Sequence, residues 1–94
     1  MASTKEYRDY VLEQLNMNIV YKPMMGEYLF YYDGILFGGI YDDRFLVKKV
    51  ESNSKYGMNL TIPYDGAKTM YLVDIDDYEL LRNIVLDTCE GLKK

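Results

Sequence analysis

The residues with the most chemistry in this chain are its acids, its lysines and a single thiol. Asp74, Asp76 and Asp77 form a D-x-D-D cluster. Carboxylates this close together could hold Ca²⁺ or Mg²⁺, hard cations that take oxygen ligands. The segment lacks the glycine and the twelfth-position Glu of an EF-hand loop, however. Acids just ahead of a helix also cap it and complement its dipole, and that use is favoured here. Asp42-Asp43 reads as a hairpin turn. Cys89 is the only cysteine, so no disulfide can form within the chain, which fits a reducing compartment. With no histidine, a Cys–His nucleophile is excluded, and the commonest acid–base group and metal ligand at neutral pH is missing. No nucleophile motif or metal-ligand spacing takes their place. The expectation is a non-enzymatic protein without a cofactor or metal. Arg44, Lys48 and Lys49 form one basic cluster, with Lys22, Lys55 and Lys68 elsewhere. Lys48 and Lys49 point to opposite sides of a strand, so a solvated edge is favoured over an anion site. Gly38-Gly39 would let a ligand approach the backbone, but a bend or bulge is the simpler use.

Tyrosine is the unusual feature. The chain has 11 Tyr, 3 Phe and no Trp. A tyrosine ring buries well, but its hydroxyl needs a hydrogen-bond partner or water. Tyr28, Tyr31, Tyr32, Tyr41 and Tyr71 all fall on strands, and tyrosine is enriched at interfaces. Met24 and Met25, beside Pro23, add soft and adaptable contact area. These seven residues are the sequence's candidate interaction set, to be weighed against a core whose hydroxyls reach water.

These residues need a scaffold, and 94 residues make one domain, 1–94. A chain of that size buries roughly two-thirds of the surface of its unfolded form. The composition is 49% hydrophobic and 28% charged, with a formal charge of −4. A net acidic chain gains little from counterion release, so direct nucleic-acid contact is not expected. The first ten residues are polar, and no apolar run reaches the length of a membrane span. A cytoplasmic protein is the expectation.

Hydrophobic spacing then gives the elements. Ser3-Thr4-Lys5-Glu6 has capping-box form, with Ser3 as the cap, and Tyr7, Val11 and Leu15 make the apolar stripe of a helix ending near Asn16–Asn18. Strands are expected at 19–22, 27–32, 35–41 and 44–50. Asp33-Gly34 makes a two-residue hairpin turn between the second and third. Residues 51–58 form a polar loop with room for a helical turn. Short strands follow at 59–62 and 70–73, separated by the Pro63-Tyr64-Asp65-Gly66 turn. Asp76 caps a last helix whose stripe is Tyr78, Leu81, Val85, Cys89 and Leu92. The fold class is α+β: a two-layer antiparallel β-meander of about five to six strands flanked by an N-terminal and a C-terminal helix. Strand alternation puts Tyr28, Phe30 and Tyr32 opposite Leu29 and Tyr31, and Ile35, Phe37 and Tyr41 opposite Leu36 and Ile40. Both faces are therefore apolar, and one needs a cover other than helices.

The run from Met24-Met25-Gly26 through Asp33-Gly34, Phe37, Asp42-Asp43 and Phe45–Lys48 resembles the signature of the TfoX/Sxy family N-terminal domain. The flanking helices and Pro63–Gly66 fall where that domain has its flanking elements. Two residues depart from the pattern: Glu27 stands where a second glycine is common, and Met25 where phenylalanine is common. The C-terminal helical domain of the full-length competence regulators has no counterpart in these 94 residues. The resemblance implies a small regulatory, non-enzymatic domain, related to transcriptional control of competence, that works through protein partners; the apolar, tyrosine-rich sheet face adds self-association as a homodimer. It supplies no catalytic residue. The alternative is a small-ligand-binding domain with its pocket between sheet and helix near Gly38-Gly39.

Overall fold

The helical stripe at Val11 and Leu15 folds as expected, in a helix α1 over Lys5–Leu15. In this computed structural model residues 3–93 are described; Met1, Ala2, Lys94 and the side chain of Tyr78 lie outside the described residues. The place of Tyr78 in the second helical stripe is therefore not described. Thr4 caps α1, its Oγ1 accepting from the Tyr7 N–H at 3.1 Å. Ser3, the expected cap, is used elsewhere: its N–H (3.0 Å) and its hydroxyl (2.6 Å) donate to Glu27 Oε1. A carboxylate oxygen that accepts two donors holds the serine more strongly than one helix-end amide could. Asn16 closes the helix in the left-handed region, at φ 48°.

Six strands follow: β1 Ile19–Met24, β2 Glu27–Tyr32, β3 Ile35–Ile40, β4 Phe45–Lys48, β5 Asn59–Thr61 and β6 Met70–Leu72. All pair antiparallel in one open sheet of order β1-β2-β3-β4-β6-β5. The meander therefore holds for the first four strands only. A 3₁₀ helix η1, Glu51–Tyr56, carries the chain outward, and β6 returns between β4 and β5. Helix α2, Tyr78–Leu92, completes the chain, with Asp77 rather than Asp76 at its N-cap. Asp74 Oδ1 instead accepts from the Asp76 N–H at 3.0 Å.

Three β-hairpin turns bring two successive residues each to positive φ: Met25-Gly26, Asp33-Gly34 and Asp42-Asp43. That backbone matches the right-handed twist of the strands it joins. The Asp42-Asp43 turn contains no glycine, and the N-terminal segment and Glu27 of β2 hold it. Thr4 N–H donates to Asp43 Oδ1 at 2.8 Å, Asp42 N–H to Glu27 Oε2 at 2.9 Å and Asp43 N–H to Ser3 Oγ at 3.1 Å.

The register slips by one residue between Phe30–Gly38 and Tyr31–Leu36, so Phe37 is an extra residue in β3. The bulge expected around Gly38-Gly39 is present. It also corrects the face assignment made from strict alternation. Ile40 joins Phe37 in the core beneath the helices, and Tyr41 joins Leu46 on the opposite side. A single added residue reverses every side chain beyond it.

Helices α1 and α2 cover one face of the sheet, hereafter the inner face. Phe30, Phe37 and Phe45 meet there with ring centroids 5.9–6.4 Å apart. All three are fully buried, together with Val11, Leu15, Leu81 and Val85.

Candidate functional site

The outer face has no helix. Its apolar cluster is Tyr41, Leu46 and Met70, with Leu29 and Leu72 at its margin. The β5–β6 connection, residues 62–69, folds back over this cluster. Arg44 holds it there. Its guanidinium donates to Thr61 Oγ1 at 2.8 Å and to the carbonyls of Ile62 and Pro63 at 3.3 and 3.4 Å, and its Nε donates to the Tyr41 carbonyl at 3.2 Å. A planar fork with five donors suits this task. Pro63 is buried, and the Pro63–Gly66 turn closes with Ala67 N–H donating to the Tyr64 carbonyl at 3.1 Å.

Loop and sheet border a half-open cavity of about 520 Å³, within the size range of small-molecule sites. Its floor includes Leu29, Leu36, Tyr41 and Met70, and its roof includes Pro63 and Ala67. Lys48, Lys49 and Lys68 line it as well, and no acid does. The expectation that Lys48 and Lys49 serve opposite sides is thus corrected. Lys49 lies just past the end of β4, where alternation has lapsed, and the loop brings Lys68 to the same cavity. Among the described residues none of these three lysines has an ion-pair partner.

The end of β4 is fixed from beneath. Asn53, fully buried in η1, donates from Nδ2 to the Lys48 carbonyl at 2.8 Å and to Thr88 Oγ1 at 2.9 Å. Its Oδ1 accepts from the Val50 N–H at 3.2 Å, and the Thr88 hydroxyl donates to the Ile84 carbonyl at 2.6 Å. The buried amide is fully satisfied and locks the backbone that carries Lys48 and Lys49. Gly91 permits the docking of η1, since a Cβ there would sit 2.3 Å from Ser52 Oγ. Nearby, Tyr56 donates to Asp87, which also pairs with Lys55 at 3.1 Å. Burial and this bond push the Tyr56 hydroxyl up to about 12. The same bond, with Lys55, holds the Asp87 carboxyl below its ordinary value.

The seven candidate interaction residues do not form one surface. Tyr28, Tyr32 and Tyr71 lie on the inner face with the core. Tyr28 also stacks edge-on with Tyr21, and the Arg8 guanidinium lies over both rings, at 4.9 and 4.4 Å. Tyr41 is buried on the outer face, where burial raises its hydroxyl pKa, with smaller contributions from Tyr64, Glu27 and Tyr31. Tyr31 is half-buried with the Lys22 ammonium 5.3 Å from its ring centre. Met24 lines the cavity. Met25 is 96% exposed at the β1–β2 turn.

Two further depressions lie near the C-terminal end of β6. One of about 490 Å³ is lined in part by Tyr7, Tyr10, Asp74 and Asp76, and one of about 250 Å³ by Tyr56, Asp77 and Ile84. Neither these nor the outer cavity includes Gly38 or Gly39, whose Cβ positions are filled by the backbones of β4 and β2. Among the described residues, no group of three or more His, Cys, Asp or Glu side chains could hold a metal ion, and no helix is long and apolar enough to cross a membrane. No known protein family, curated protein or solved structure matches the chain.

Proposed function

We propose that this domain is a non-enzymatic binding module that takes a small ligand between its outer sheet face and the β5–β6 loop. The observation behind this reading is the set of three lysines, without an ion-pair partner among the described residues, around an acid-free, apolar-floored cavity, in a chain with 15 acids against 11 bases. The loop also covers much of the apolar outer face that the sequence left in need of a cover other than helices. Leu46 is fully buried there, and Tyr41 and Met70 nearly so. The resemblance to TfoX/Sxy N-terminal domains favours a regulatory role in the cytoplasm, with the bound state as the signal.

The test is a thermal-shift screen against a broad metabolite library, followed by amide chemical-shift mapping. A ligand at ~100-fold excess over its Kd should add about 2.7 kcal/mol of stability. Its shifts should cluster at residues 48–50 and 67–70. Absence of any such ligand across the library would sink the reading.

A second reading, a protein-interaction or self-association module, is favoured by one observation. Met25 stands almost fully exposed in a strained turn at φ 50°, next to Met24 and the exposed edge strand β1. Light scattering over a concentration series tests it. A dimer that Met25→Asp dissolves would establish it, and a monomer at all concentrations would remove the homodimer.

A further inference from the structure

We infer that the ligand of the outer cavity is an amphiphilic organic anion, with its anionic head among Lys48, Lys49 and Lys68 and its apolar body on Leu36 and Leu29. This rests on the reading that the cavity is a ligand site and goes on to give the ligand's class. The placement of the lysines across the sheet carries it. Moving along the strand order, the cavity meets only apolar Met24 on β1, Leu29 on β2 and Leu36 on β3; lysines enter with Lys48 on β4 and Lys68 just ahead of β6, beside the apolar Met70. Adjacent strands lie about 4.8 Å apart, so β2 and β4 are separated by roughly 10 Å. That distance suits a medium-length aliphatic or aryl body with a charge at one end.

Electrostatics point the same way. Three lysines line one cavity, and none has a carboxylate partner among the described residues. An anionic head supplies that partner, while an apolar body covers the apolar floor. Lysine is a compact point charge that does not demand the planar geometry of one particular anion. Carboxylate and phosphate-monoester heads therefore share the required chemistry.

Decanoate, used below its micellar concentration, is the first probe, with decan-1-ol, inorganic phosphate and phosphatidylglycerol vesicles as comparisons. Calorimetry on the intact chain should show saturable decanoate binding that weakens as salt is raised. Decan-1-ol and phosphate should each bind at least roughly tenfold more weakly, a difference of about 1.4 kcal/mol. Lys48→Gln, Lys49→Gln and Lys68→Gln combined should weaken decanoate by a similar factor and leave the thermal midpoint in place. Equal binding of decan-1-ol, or of decanoate by the triple variant, would overturn the role of the lysines. Equal binding of phosphate would leave a head-only anion site and overturn the amphiphile. Binding to vesicles without binding to free decanoate would make the face a membrane-docking surface and overturn the proposal. If decanoate fails while library compounds still shift residues 48–50 and 67–70, the ligand class falls and the binding-module reading stands. If both fail, both fall.

Discussion

The two faces of the sheet are built on different principles. The inner face is closed by two helices over three phenylalanine rings that are fully out of water. The outer face is closed by a loop without regular structure, held largely through one arginine, and its floor is only partly buried at Leu29 and Leu36. Rigid packing against helices suits stability. Loops, whose hydrogen bonds are exposed and few, open at much lower free energy and tend to carry function. On the proposed reading, the division of labour is stability beneath the helices and recognition beneath the loop.

Changes to each face should break or sharpen that division. Phe45→Ala, beneath the helices, removes a fully buried ring that touches two others. Urea unfolding should show a loss of about 3–5 kcal/mol; a loss under about 1 kcal/mol would mean the inner face is not the main source of stability. Arg44→Met, on the loop side, removes the bonds that strap residues 62–63 to the sheet. It should cost about 1–2 kcal/mol. Hydrogen exchange at the Ala67 amide should accelerate far more than exchange at Val47, which pairs with strands on both sides, and equal acceleration would show that the faces are coupled. The Tyr56–Asp87 pair gives a smaller effect that depends on pH. Asp87 is held below its ordinary pKa in the fold, so its stabilisation is complete above the usual carboxylate range and lost as pH falls through its folded value. Tyr56, raised to about 12, has full effect below about 10, the ordinary tyrosine value, and loses it as pH rises toward 12. Tyr56→Phe should flatten both limbs of a pH–stability curve, and unchanged limbs would remove the pair from consideration. Least of all, Lys68→Gln should alter stability by less than about 0.5 kcal/mol. A larger effect would mean that the lysine belongs to the structure rather than to recognition.

Much of the scaffold was legible because it is encoded locally. Asp33-Gly34 specified its turn by backbone preference, and the stripes at Val11/Leu15 and Leu81/Val85/Cys89 specified the inner faces of both helices. What escaped was set by partners distant in sequence. Ser3 looked like a cap until Glu27 competed for it. Ile40 and Tyr41 were assigned to exchanged faces because alternation has no means of registering the extra residue at Phe37. The order β4-β6-β5 follows from the outward route of η1, which depends on Asn53 meeting Thr88. The candidate site was the least legible of all. Lys68 looked isolated from Lys48 and Lys49, and nothing local announces that Arg44 will pin the intervening loop across the sheet. The one available signal was that both faces of β2 and β3 were apolar while only two helices were on hand to cover them.

The insertion of β6 between β4 and β5 also bears on how the chain acquires its structure. The first four strands can zip up through successive tight turns. The partner edge of β4 must wait until the chain has passed through η1 and β5 and turned back, bringing Met70 to Lys48 and Leu72 to Leu46. Contacts so distant in sequence form late, because the entropy of closing the intervening chain is spent before they are made. The β5–β6 hairpin, and with it the roof over the outer cavity, then docks after the first four strands have paired. Stopped-flow refolding with a saturating ligand should show an unchanged folding arm and a slowed unfolding arm, since interactions absent from the transition state act on the escape rate alone. Occupancy of the cavity would then lengthen the lifetime of the folded protein without hastening its birth.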